Sequence, residues 1–124
     1  MIPVWADKPE DWARLAALAR AAGHVGWDSE TTGHNVKKTS PAFRAKIDVW
    51  SLALKVGDSW RGVVLPLEAL VASELRGVLE DPGIVKDAHN ARHDLHSAEN
   101  HGVIVRGVYD TLEGARLAFP GLKS

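Results

Sequence analysis

Apolar positions recur at helical spacing over residues 8–22. Trp12, Leu15, Ala16, Leu18 and Ala19 form the stripe, Pro9 suits a first turn, and Gly23 ends the run. His24 to Asp28 reads as a short strand, and residues 33–45, with their Gly, Asn, Ser and Pro, as a loop. Ile47 to Val56 alternates in part and reads as a second strand. Gly57-Asp58 is a turn signal, and Trp60 to Leu67 is the returning arm of a hairpin. Leu67 to Leu79 reads as a helix closed by Glu80-Asp81-Pro82-Gly83, Ile84 to Ala88 as a short buried strand, and Asn90 to His101 as a helix stopped by Gly102. Val103 to Tyr109 is expected to be extended and Thr111 to Phe119 helical. This order of one helix, three strands, then alternating helices and strands predicts an α/β fold, a mixed sheet with helices on its faces.

Composition narrows the class. A chain of 124 residues is at most one domain, and no linker or repeat is visible, so residues 1–124 read as a single unit. The 45% hydrophobic share supports a core and argues against disorder. With no Cys there is no disulfide frame and no thiolate metal site. The opening Met1-Ile2-Pro3-Val4-Trp5 lacks the basic start and apolar stretch of a signal peptide, and no apolar run is long enough for a bilayer, so no membrane partner and a cytoplasmic location are expected. A net charge of −1 does not imply a broad basic face for duplex DNA. Lys37, Lys38, Arg44 and Lys46 are a local exception, read as a solvated loop or as a phosphate-contacting arm.

The chemistry concentrates in Trp27-Asp28-Ser29-Glu30-Thr31-Thr32-Gly33. In a strand, positions i and i+2 share a face, so Asp28 and Glu30 would stand side by side. Two ionised carboxylates that close repel, and a hard divalent cation removes that cost. The plain alternative is a strand end running into a polar turn. A second acidic position lies in His89-Asn90-Ala91-Arg92-His93-Asp94, where Asn90 and Asp94 are spaced to share a helix face directly after a strand. Taken alone, Asp94 reads as a surface acid and Asp110, at a strand-to-helix junction, as a helix N-cap. His89, His93, His96 and His101 lack both the Glu of a His-Glu-x-x-His pattern and any Cys partner, so packed or exposed structural histidines are the expected reading.

These residues resemble a known family, the 3'-5' exonuclease (proofreading) domain of family A DNA polymerases, the DNA polymerase I type. That domain is one of the four-carboxylate exonucleases with an RNase H-like fold. Asp28, Glu30 and Thr31 match its Asp-x-Glu-Thr motif. Ser51-Leu52-Ala53-Leu54 and Trp60–Leu67 match its hairpin, and Leu79-Glu80-Asp81-Pro82 its linking turn. His89, Asn90 and Asp94 match its second motif, with His93 where the family has an aromatic; Tyr109-Asp110-Thr111 matches its Asp-Thr. The resemblance implies two-metal phosphodiester hydrolysis with Mg2+ or Mn2+ at single-stranded DNA 3' ends. It implies Asp28, Glu30 and Asp94 as catalytic metal ligands, and Asn90 and Thr31 as contacts to the terminal nucleotide. RNase D-type trimming of RNA, or a scaffold role with vestigial carboxylates, are the other readings.

The family's third motif, a Tyr-x-x-x-Asp helix beyond the Asp-Thr position, has no match here. The resemblance therefore implies a weak metal site, low activity of the chain alone, and an exposed apolar patch where the last helices would pack. A polymerase domain or chain, a homodimer mate, or a separately encoded continuation would cover that patch. A split phage-type polymerase in the host cytoplasm and a truncated chain fit equally.

Overall fold

The computed structural model describes residues 4–32 and 46–118. The first helix, α1, spans Pro9–Ala22, and Gly23 closes it in the left-handed conformation (φ 71°). Trp12, Leu15, Ala16 and Ala19 are buried, as the stripe predicts. A strand β1 (His24–Thr32) pairs antiparallel with β2 (Lys46–Val56), which pairs with β3 (Ser59–Pro66). Two short helices, α2 (Leu67–Val71) and α3 (Glu74–Glu80), lead to β4 (Val85–Ala88), which runs parallel to β1. Then come α4 (Ala91–Glu99), β5 (Val108–Asp110) and α5 (Thr111–Ala118). The sheet order is β3-β2-β1-β4-β5, so β1 is the central strand. Segment 33–45, including Lys37, Lys38 and Arg44, lies outside the described residues.

One face of the sheet carries the core. Val25 and Trp27 of β1, Trp50, Leu52 and Leu54 of β2, and Val63 and Leu65 of β3 are all buried there. They pack with α1 residues, with Leu75, Val78 and Leu79 of α3, and with Ala91 and Ala98 of α4. Each fully buried Leu contributes about 1.5–3 kcal/mol. The last helix lies on the other face, beside Tyr109, and a side chain on Gly114 would collide with the Tyr109 ring. The outer edge of β3 is not bare: Ala6 N–H donates to Val64 O and Val64 N–H to Val4 O.

Four elements differ from the sequence expectation. The strand from His24 continues through the acidic motif to Thr32, because β2 supplies partners from Gly26 to Thr32. The expected 67–79 helix is two helices. Ser73 breaks it: its hydroxyl accepts from Leu75 N–H at 3.1 Å and donates to Ala69 O at 2.5 Å, offering the backbone an end and a new start. Ser73→Ala should cost about 1 kcal/mol in urea denaturation, the usual value of an N-cap.

The expected helix from Asn90 begins at Ala91 instead. Asn90 is its N-cap in a left-handed conformation (φ 57°), which Asn tolerates better than most residues. Finally, 103–109 is a strand only from Val108. Ile104 N–H goes to the Glu80 carboxylate and Arg106 N–H to Leu79 O, so this stretch bonds to the end of α3 rather than to a strand. Gly107 (φ 74°) makes the bend, and a Cβ there would lie 2.7 Å from Ile84 O.

Candidate active site

Alternation along β1 assigns the faces. Val25, Trp27 and Ser29 are buried and Asp28 is exposed. The register with β2 is unbroken from Gly26 to Glu30, pairing Asp28 with Ser51 and Glu30 with Val49, and shifts only between Glu30 and Thr31. Asp28 and Glu30 thus hold the i, i+2 relation in regular strand. Thr31 lies just past the irregularity.

On its other side β1 outruns its neighbour. Pairing with β4 ends at Gly26 opposite Asp87, after which β4 gives way to α4. The Asp94 carboxylate takes over that edge. Its Oδ1 accepts from Ser29 Oγ at 2.5 Å and from Ser29 N–H at 3.3 Å. Asp94 is only 4% exposed, which corrects its reading as a surface acid.

Burial pushes the Asp94 carboxyl up, the Ser29 hydrogen bonds oppose this, and the negative charge of Asp28 pushes it up further. Asp28 precedes Ser29 in β1, and Ser29 is bonded to Asp94, so the charge of Asp28 comes from a neighbouring position on another element of the fold. A buried carboxylate beside a second carboxylate gains from a proton or a cation. Oxygen donors of this kind suit a hard divalent ion. Among the described residues, no three His, Cys, Asp or Glu side chains converge for metal binding.

Asn90 does not share a helical face with Asp94 as the spacing implied, since it precedes the first turn of α4. It is exposed, and its backbone N–H donates to Asp110 Oδ1 at 2.9 Å. Asp110 does cap α5, through Leu112 N–H, but it also reaches α4 through Asn90 and Ala91. His89 Nδ1 lies 3.0 Å from Thr111 Oγ1, and His24 Nε2 lies 2.5 Å from Asp87.

Ser29 was not singled out from the sequence. Its signal was present, since it shares strand parity with Val25 and Trp27, and a polar residue on a core face needs a partner. The face bearing Asp28 is lined by Gly26, Ser51, Ala53 and Gly62. Trp60 (52% exposed), Val85 (40%) and Tyr109 (54%) share strand parity with that face and are its larger exposed apolar members among the described residues.

A central acidic strand, a parallel neighbour and a helix-borne carboxylate beside them define an RNase H-like α/β fold of the exonuclease kind. A family model described as 3'-5' exonuclease, of the DNA polymerase A type, matches residues 3–119, and the chain belongs to that family. No curated protein sequence matches it. Among solved structures, it is similar to the POL domain of Pol1 from M. smegmatis in complex with DNA primer-template and dNTP. That match has 23% identity and a TM-score of 0.74, covering 97% of this chain and 20% of that one. It is similar to the EXD2 exonuclease domain soaked in Mn and GMP, with 19% identity and a TM-score of 0.66, over 97% and 62%. A third is Trypanosoma brucei RNase D in complex with RNA U12, with 16% identity and a TM-score of 0.66, over 86% and 37%. The likeness at these identities is one of fold, and the chain spans between 20% and 62% of the three structures' lengths.

Proposed function

We propose that this chain is a metal-dependent 3'-5' exonuclease that removes nucleotides from single-stranded DNA 3' ends, proofreading beside a polymerase domain or chain in the cytoplasm. The observation that carries the reading is the placement of Asp94, buried against Ser29 next to Asp28, although 65 residues separate Ser29 from Asp94. The DNA polymerase type of the matching family supports DNA as substrate.

In this reading Asp28, Glu30 and Asp94 hold Mg2+ or Mn2+. The donor set fits: all three are carboxylates, and the Asp28–Asp94 repulsion is the imbalance that a divalent ion would relieve. The bound metal would supply Lewis-acid stabilisation of charge developing on the scissile phosphate. The chain's own contribution is placement. Ser29 orients Asp94 by two hydrogen bonds, and Asn90 and Thr31 position the terminal nucleotide. A fourth carboxylate would come from outside residues 1–124, in the same polypeptide or a partner.

The test is release of mononucleotides from 3'-labelled single-stranded DNA and, in parallel, from 3'-labelled RNA, with Mn2+ and with EDTA, for the chain alone and with its polymerase. Mn2+-dependent release from DNA is expected, faster with the polymerase present. Release from RNA alone would move the assignment to the RNA-trimming branch. No release from either substrate in either setting would leave a scaffold role.

A further inference from the structure

We propose that Asp110 is a positioning residue for this site, acting by fastening two helix starts with one carboxylate. The proposal rests on the exonuclease reading for its consequence, though not for its geometry. Oδ1 accepts from Leu112 N–H at 2.9 Å and from Asn90 N–H at 2.9 Å, and Oδ2 accepts from Ala91 N–H at 2.9 Å. The first bond caps α5, where Asp110 is the preceding residue. The other two hold the beginning of α4, twenty and nineteen residues away in sequence.

Asp94 sits in the first turn of α4. The backbone that carries it is therefore the part of that helix most prone to fray, and a helix of nine residues has little stability of its own. Asn90 makes no side-chain cap of its own, and its left-handed backbone needs outside support. The Asp110 carboxylate supplies both. A parallel tie runs from His89 Nδ1 to Thr111 Oγ1, which also reaches Ala88 O.

There is an electrostatic consequence. The N–H groups at a helix start, with the helix dipole, attract anions. Here a fixed carboxylate of the protein occupies them. With the Asn90 and Ala91 N–H groups so taken, a substrate phosphate finds less at that place, which favours the Asp28–Asp94 region as the phosphate's anchoring point once a cation is bound.

Asp110→Asn and Asp110→Ser separate the two tasks. Both residues are good N-caps, so α5 keeps its cap and the fold is retained; Asp110→Asn loses only the Oδ2 bond to Ala91 N–H, while the shorter Asp110→Ser loses both ties to α4. Three readouts are made: amide hydrogen exchange across α4 and α1, the Ser29 amide resonance, and Mn2+ affinity by calorimetry. We expect roughly 10-fold faster exchange in the first turn of α4 with α1 unchanged. The Ser29 amide should shift as Asp94 withdraws, and Mn2+ affinity should fall about 10–100-fold. Wild-type exchange in α4 with an unmoved Ser29 resonance would overturn the proposal. So would faster exchange combined with unchanged Mn2+ affinity. If the wild-type chain binds no Mn2+, the exonuclease reading is what fails, and the exchange and Ser29 measurements still decide whether Asp110 holds Asp94 in place.

Discussion

Asp94→Asn is expected to melt at a higher temperature than wild type in metal-free buffer at pH 7, while losing roughly 100-fold or more of 3'-end cleavage. The two effects share one cause. An amide oxygen can still accept from Ser29 Oγ and Ser29 N–H, so the local contacts survive. The charge that burial and Asp28 both disfavour is removed. Relieving such a strained functional group typically gains about 0.5–2 kcal/mol. The loss of activity follows from removing a ligand whose bound cation stabilises the transition state by several kcal/mol.

The pH dependence gives an independent check. The native pKa of Asp94 lies above its unfolded value, so as pH rises the unfolded chain releases the proton first. The wild-type penalty is therefore absent below the ordinary carboxylate range and complete once pH has passed the raised native value. Melts at pH 3 and pH 7 should show the variant's advantage only at the higher pH, and added Mn2+ should stabilise wild type more than the variant. A variant less stable than wild type at pH 7 without metal would contradict the argument.

Replacing Lys86 should show the second large effect. Lys86 is fully buried, and its Nζ donates to Asp81 O at 2.5 Å and Arg106 O at 2.8 Å. It thereby ties the end of α3 to the segment before β5. Lys86→Ala leaves two carbonyls without that partner and opens a cavity, a cost of about 3 kcal/mol in denaturant titration. Burial lowers the Lys86 pKa to about 8, with Asp81 pulling it back up and Arg20 adding to the lowering. Between about 8 and the unfolded value near 10.4 the unfolded chain binds more protons, so this group makes wild type more stable as pH rises. The gap between wild type and Lys86→Ala should widen from pH 8 to pH 10. A gap that narrows over that range would mean Lys86 is not held as the buried donor described.

Periodicity made α1 and the β2–β3 hairpin legible, because each buries one regular stripe against the core. The fold class was legible from element order. Asp28 and Asp94 could be singled out by motif spacing, yet their meeting could not. It depends on β4 ending before β1 does and on α4 starting there, a relation among three elements that no local pattern encodes. The Ser73 break was missed because Leu67 to Leu79 is apolar enough to run as one helix, and a single hydroxyl decides otherwise. Lys86 shares strand parity with the buried Ile84 and Ala88, so its burial was written in the alternation. The charge obscured it. The segment 103–107 has extended residue types but finds its partners at the end of α3, a contact invisible from composition.

The strand order has a kinetic meaning as well. The β2–β3 pairing is a local hairpin, closed by a two-residue turn at Gly57-Asp58. The β1–β4 pairing joins His24–Gly26 to Val85–Asp87 and encloses that whole hairpin with α2 and α3. Closing so long a loop costs more chain entropy, and contacts of that range form slowly. Asp28 lies on one side of this seam and Asp94 on the other. The two carboxylates thus come near each other only when the most delayed joint of the sheet has closed, so a nascent or partly unfolded chain has Asp28 and Glu30 on their strand but lacks the buried Asp94 beside them.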